Sequence, residues 1–136
     1  MGKRRVISPD KGEKIGRITQ EQARKAGIKC ADICITEGSI KHIAVGHRRE
    51  IENAGLSVGD FIRFVAKNYN MIVEGSDSSI MIVVYRQQQG LHHTAALRLN
   101  YIGKENAWVV TTAGVRRTKD IEKRKVFWMD CQLSPL

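Results

Sequence analysis

The chain is 136 residues and 15.3 kDa, long enough for one domain with one core. Its 23 Lys and Arg against 14 Asp and Glu give a formal charge of +9. Leu, Ile, Val and Phe number 35, too many for a disordered chain. No run approaches the about 18 apolar residues of a membrane span, and no apolar segment follows the basic N-terminus as a signal peptide requires. Three cysteines, an odd number, argue against a disulfide scaffold and for a reducing, cytoplasmic setting.

The charge is unevenly spread. Residues 1–29 carry nine basic and three acidic side chains, residues 30–113 eight of each, and residues 114–136 six and three. Both ends are therefore basic around a neutral middle. Such ends attract polyanions, nucleic acid first among them, although a positive charge also simply keeps a small protein in solution.

In chain order, residues 1–29 read as a basic, loosely structured segment with turn chemistry at Ser8-Pro9-Asp10. A short helix opens at Thr19 in a capping-box pattern and ends at Gly27. Residues 32–36 form a short extended piece. Ile40, Ile43, His47 and Ile51 then recur at helical spacing, with Thr36 or Ser39 as cap, Gly46 as a weak point and Gly55 as the end. A second helix starts at Ser57 and runs to Tyr69-Asn70. The period then changes from helical to alternating. Strands are expected at 71–74, 79–86, 92–102 and 107–112, joined by short turns. Sequential strands on such short loops must be antiparallel. The expected fold is α+β: N-terminal helices packed on one face of a four-stranded antiparallel meander. It occupies residues 30–128, with 129–136 as a tail and 126–128 as a last short strand or packed segment. The opposite face, carrying His92, Thr94, Arg98 and Asn100, is expected to stay open.

The densest chemical signal is His42 and His47. Imidazoles titrate near neutral pH and suit proton transfer. On an unbroken helix, residues five apart point about 140° from one another. The pair could converge only if Gly46 ends the helix. His47, lying in the apolar stripe, also reads as a hydrogen-bonded core histidine. Arg98 could hold a phosphate bidentately or form a cross-strand ion pair. One of Thr111 and Thr112 must face the open side and could donate to a phosphate oxygen. Tyr85, His92 and Arg116, the last in the basic C-terminal segment, are further candidates for substrate contact. Cys30, Cys34, His42 and His47 include zinc-ligand types, but the gap between the second Cys and the first His falls short of the usual about 12 residues.

The order of elements, with His42-Ile43-Ala44-Val45-Gly46-His47 in the helical part, Arg98 within Ala95-Ala96-Leu97-Arg98-Leu99-Asn100, and Thr111-Thr112 after Trp108-Val109-Val110, resembles the phage and polyvalent-protein members of the barnase–EndoU–colicin–RelE-like (BECR-fold) nucleases. The resemblance spans about residues 30–128. It implies a toxin-like, metal-independent endoribonuclease without cofactor. His42, His47, Arg98 and Thr111-Thr112 are the residues it matches. On this reading His42 and His47 would be the acid–base pair and Arg98 and Thr112 would stabilise the charge on the phosphate, while Tyr85, His92, Thr111 and Arg116, read from the residues themselves, would contact substrate. The implied partners are RNA and a protein inhibitor of the immunity or antitoxin kind, with no membrane, and the implied place of action is the cytoplasm, including that of a target cell. No counterpart of the strand glutamate that serves as base in barnase-type members is evident; Glu74 stands only at a strand end. Two other readings use the same residues: a nucleic-acid-binding module without catalysis, and an interaction domain clipped by zinc.

Overall fold

The computed structural model describes residues 12–102 and 105–131. Its elements are β1 (Gly12–Ile18), α1 (Gln20–Ala26), β2 (Ala31–Thr36), α2 (Glu37–Asn53), α3 (Val58–Asn68), β3 (Met71–Glu74), β4 (Ile80–Val84), β5 (Leu91–Ile102), β6 (Glu105–Arg117), α4 (Thr118–Glu122) and β7 (Val126–Met129).

The helix starts are set by side chains. Thr19 accepts from the Gln22 backbone N–H while the Gln22 side chain accepts from the Thr19 N–H, a complete capping box. Thr36 caps α2 through the Ser39 N–H, and Ser57 caps α3 through the Asp60 N–H. Gly27 ends α1 in the left-handed region, φ 71°, where only glycine is free of strain. Gly46 does not break α2, which continues to Asn53. A mid-helix glycine costs about 1 kcal/mol. Ile43 and Ile51, buried on either side of it, each contribute about 1.5–3 kcal/mol by leaving water.

The fold departs from the expected meander. The described strands form one seven-stranded mixed sheet in the order β1-β2-β6-β5-β4-β3-β7. The antiparallel run β3–β4–β5–β6 lies at its centre, but three further strands extend it. β2 pairs in parallel with β6, Asp32 beside Ala107 and Cys34 beside Val109, and β1 pairs antiparallel with β2. β7 adds antiparallel to β3. Residues 12–29 thus belong to the folded unit rather than to a loose N-terminal segment; residues 1–11 lie outside those described. β1 escapes a sequence reading because it is an edge strand whose residues, Ile18 apart, are not buried, so it shows no alternation. The β2–β6 pairing escapes because it joins segments more than seventy residues apart, and nothing local encodes it.

One face of the sheet carries Ile33, Ile35, Ile72, Ile82, Leu97 and Val110, covered by α2 and α3 through Ile43, Ile51, Phe61, Ile62 and Val65. The other face is only partly open. Met71, Val73, Met81 and Val83 close over Ile121 of α4, while Cys34, Ala107 and Val109 form a separate small cluster. His92 and Thr94, expected on an open surface, are each 1% exposed.

Candidate active site

β2 accompanies β6 only as far as Val109, so the second half of β6 would present an unpaired edge. The C-terminal half of α2 covers it. Glu50 Oε2 accepts the backbone N–H of Val115 at 2.7 Å, standing in for the missing strand. The other carboxylate oxygen lies 2.8 Å from Nδ1 of His47, one helical turn earlier. An ionised carboxylate can only accept, so Nδ1 donates; in the neutral tautomer that this bond selects, the lone pair stands on Nε2. Among the described residues, none is hydrogen-bonded to Nε2.

Gly114 makes this arrangement possible. A Cβ there would stand 2.8 Å from Glu50 Oε2 and 3.2 Å from His47 Nδ1. Glycine lets the carboxylate reach the edge of β6 without being displaced.

The pairing of β5 with β6 slips between Ala96 and Leu97, a bulge that absorbs Thr111. Val110 then faces the helices while Thr112, opposite Ala96, faces the other side. Thr111 Oγ1 donates to the Ala96 carbonyl at 3.3 Å. The result is a cleft of about 120 Å³ lined by His47, Glu50, Thr94, Thr112, Gly114 and Arg116. Thr94 is spoken for, donating to the Gly114 carbonyl at 2.8 Å. Arg116 is held by Asp120 at 2.8 Å. That bond and the charges of Arg124, Arg116 and Lys123 keep the Asp120 carboxyl below its ordinary value, despite its partial burial. Val115 and Arg116 also border a neighbouring concavity lined by Arg117, Lys119, Asp120 and Lys123, four cations counting Arg116 to one anion. The basic C-terminal segment thus lies directly beside the cleft.

Of the residues singled out in the sequence, His47, Thr112 and Arg116 meet here. His42 does not: α2 is unbroken between the two histidines, and His42 is exposed and outside the cleft. Arg98 is exposed on the same sheet face as Thr112, opposite Val109 and two residues along β5 from Ala96, which also lines the cleft. Among the described residues it has no hydrogen-bond or ion-pair partner. Thr111 occupies the bulge, outside the cleft.

Tyr85 and His92 form a separate corner, with His92 buried in it. Their rings stack at 4.4 Å and 8°. Nδ1 of His92 accepts the Arg86 N–H at 3.2 Å, so Nε2 carries the proton and donates to Thr118 Oγ1 at 2.7 Å. Thr118 in turn donates to the Gln89 carbonyl. Burial, aided by the Arg86 charge, lowers the His92 pKa below its ordinary value of 6.5. Tyr85 donates to Glu122 at 3.4 Å, and its own pKa is raised, chiefly by burial.

Glu50, Gly114 and Asp120 were missed by sequence reasoning. The spacing of His47 and Glu50, three residues apart on a helix, was the one available signal for the first. Nothing local signals the other two. Among the described residues no three His, Cys, Asp or Glu side chains gather as metal ligands, so Cys30, Cys34, His42 and His47 do not assemble the zinc clip. Cys30 instead accepts from Arg17 at 3.3 Å, and Cys34 is buried with its thiol pKa raised by that burial. Among the described residues no helix is long and apolar enough to cross a membrane. No protein family, curated protein or solved structure matches this chain in comparison with known proteins.

Proposed function

We propose that this protein is a metal-independent endoribonuclease of the BECR-fold kind, with His47 as general base. The observation that carries the reading is the half-satisfied imidazole. Glu50 holds Nδ1 and fixes the ring, Nε2 is free, and Thr112 and Arg116 share the same cleft. In this mechanism Nε2 takes the proton of a ribose 2′-OH. The 2′-oxygen attacks the adjacent phosphorus, the bond to the 5′-oxygen breaks, a water molecule gives its proton to the leaving oxygen, and the hydroxide so formed takes the proton back from His47. The products are a 2′,3′-cyclic phosphate and a 5′-hydroxyl. Glu50 stabilises the imidazolium that forms, while Arg116 and the Thr112 hydroxyl donate to the equatorial oxygens as their charge grows. Arg117, Lys119 and Lys123 hold the flanking backbone without reading its sequence. His42 has no part in this scheme, and Arg98 is a backbone contact. RNA is the partner, joined by a protein inhibitor that keeps the activity from the RNA of the producing cell. The reaction takes place in the cytoplasm, of that cell or of one to which the protein is delivered.

The test is incubation of a generic RNA with the purified protein in EDTA. Cyclic-phosphate ends are expected, with the all-deoxy oligonucleotide left intact because it lacks the attacking hydroxyl. The basic concavity also supports a second reading, a module that binds RNA and does not cut it. Salt-dependent binding without any product would select that reading.

A further inference from the structure

Glu50 has a cavity on each side. The second, of about 370 Å³, lies on the helix-facing side of the sheet, beyond the end of α2. Its volume falls in the range of about 300–1,000 Å³ usual for small-molecule sites. Val84, Leu91 and Val115 supply apolar walls, and His93 adds a ring. That ring is fixed by packing flat on Phe61 at 4.7 Å and edge-on to Phe64 at 5.7 Å. Burial, with the nearby Arg86 charge, lowers the His93 pKa and keeps the ring neutral at pH 7. Asn53, Arg86 and Gln89 bring amide and guanidinium groups to the same space.

Apolar walls with one ring beside them and a few amide and guanidinium donors suit a planar heterocycle with a polar edge. Arg86 is the one cation lining this cavity, whereas Arg116, Arg117, Lys119 and Lys123 gather at the neighbouring concavity, where a phosphate is better met. Glu50 and Val115 line both the cavity and the His47 cleft, so the two are separated by about one side chain. A nucleotide's base and its phosphate are likewise separated by one sugar. The geometry points to this cavity as a nucleobase subsite, taking the base next to the phosphate held in the His47 cleft. The placement beside the scissile phosphate rests on the ribonuclease reading; the binding of a base does not.

The experiment titrates the wild-type protein with adenosine, guanosine, cytidine and uridine, following the His93 ring protons by NMR, and runs RNA cleavage in parallel. At least one nucleoside should shift the His93 signals in a saturable way. Leu91 is 56% exposed, so Leu91→Trp fills the mouth of the cavity without entering the core. It should weaken that nucleoside about tenfold or more, the effect of losing a base's stacking and burial. Asn53→Ala, at an exposed position, should change which base is preferred beside the cut. If no nucleoside moves His93, or if Leu91→Trp leaves the affinity unchanged, the subsite is overturned even where RNA is still cleaved. If a nucleoside binds and Leu91→Trp expels it while RNA stays whole, the subsite stands and the ribonuclease reading falls.

Discussion

Two histidines flank the last third of β6, and they differ in how many of their nitrogens the protein uses. His92 lies under α4 with Nδ1 and Nε2 both engaged, one ring face on Tyr85 and 1% of its surface exposed. His47 reaches the strand from α2 with Nδ1 engaged by Glu50, and 38% of its side chain is exposed at a cleft. The first is a fastener, joining the end of β4, the turn after it and α4. The second is oriented but not consumed. A buried histidine with both nitrogens satisfied has no capacity left for a substrate proton, whereas a half-satisfied one keeps its base and its aim.

The sharpest way to break this comparison is to remove each ring in turn. His47→Ala should lower RNA cleavage by about 10²–10⁴-fold, the usual contribution of a positioned base. Its melting temperature should hardly move, because the ring is part-exposed and its one partner, Glu50, keeps the Val115 N–H. His92→Ala should do the reverse. It leaves a cavity and strands the Arg86 N–H and the Thr118 hydroxyl, a loss of about 2–4 kcal/mol. In a domain of this size that is a fall of roughly 10 °C in melting temperature. Cleavage measured well below the melting point should persist. Cleavage rates set beside melting curves decide the matter, and a His92→Ala that folds well but cannot cut RNA would erase the distinction.

Gly114→Ala probes the support of His47 without touching it. The added methyl meets Glu50 Oε2, so the carboxylate must shift against the Val115 N–H it accepts and the His47 ring it holds. Turnover should fall about 10–100-fold, in the range for disturbing a residue that orients a catalytic one. The effect should appear in kcat more than in KM, since no phosphate contact is lost.

The smallest expected effect is on pH dependence. The His92 pKa is depressed in the folded protein, so unfolding takes up a proton. The stability this provides is full above the unfolded value of about 6.5 and declines as the pH falls below it, until the folded pKa is passed. Melting temperatures from pH 8 to pH 5 should therefore fall with acidity. The slope should be shallower in His92→Gln, while the shifted His93 keeps part of it. An unchanged slope in that variant would show that His92 is not the group responsible.

What local chemistry encodes is what a reader of the chain could find. Thr19, Thr36 and Ser57 announce their helices because capping bonds span three residues. The run from β3 to β6 is legible because adjacent strands on short turns have one way to pair. The apolar stripe of α2 already placed His47 on the side that turns toward the sheet. The basic stretch after residue 113 was legible as a run of charge, and it stands beside the cleft.

The rest is decided across distance. The parallel contact of β2 with β6 makes the sheet seven strands wide instead of four, and where it stops it leaves the edge that Glu50 covers. The bulge at Thr111 chooses which threonine turns toward the cleft, a choice that depends on how β5 and β6 register over their whole length. His92 is drawn under α4, and Arg98 is left in the open, by packing that neither residue's neighbours in sequence record. The amino-acid sequence by itself determined the three capped helices α1 to α3, most of the strands and the residues able to move a proton, while the short α4, whose N-cap Arg117 makes no side-chain capping bond, carried no such local signal. Only the tertiary structure decided which of those residues meet, because strand pairing and edge covering join positions tens of residues apart, and their energy exists only once both sides are in place.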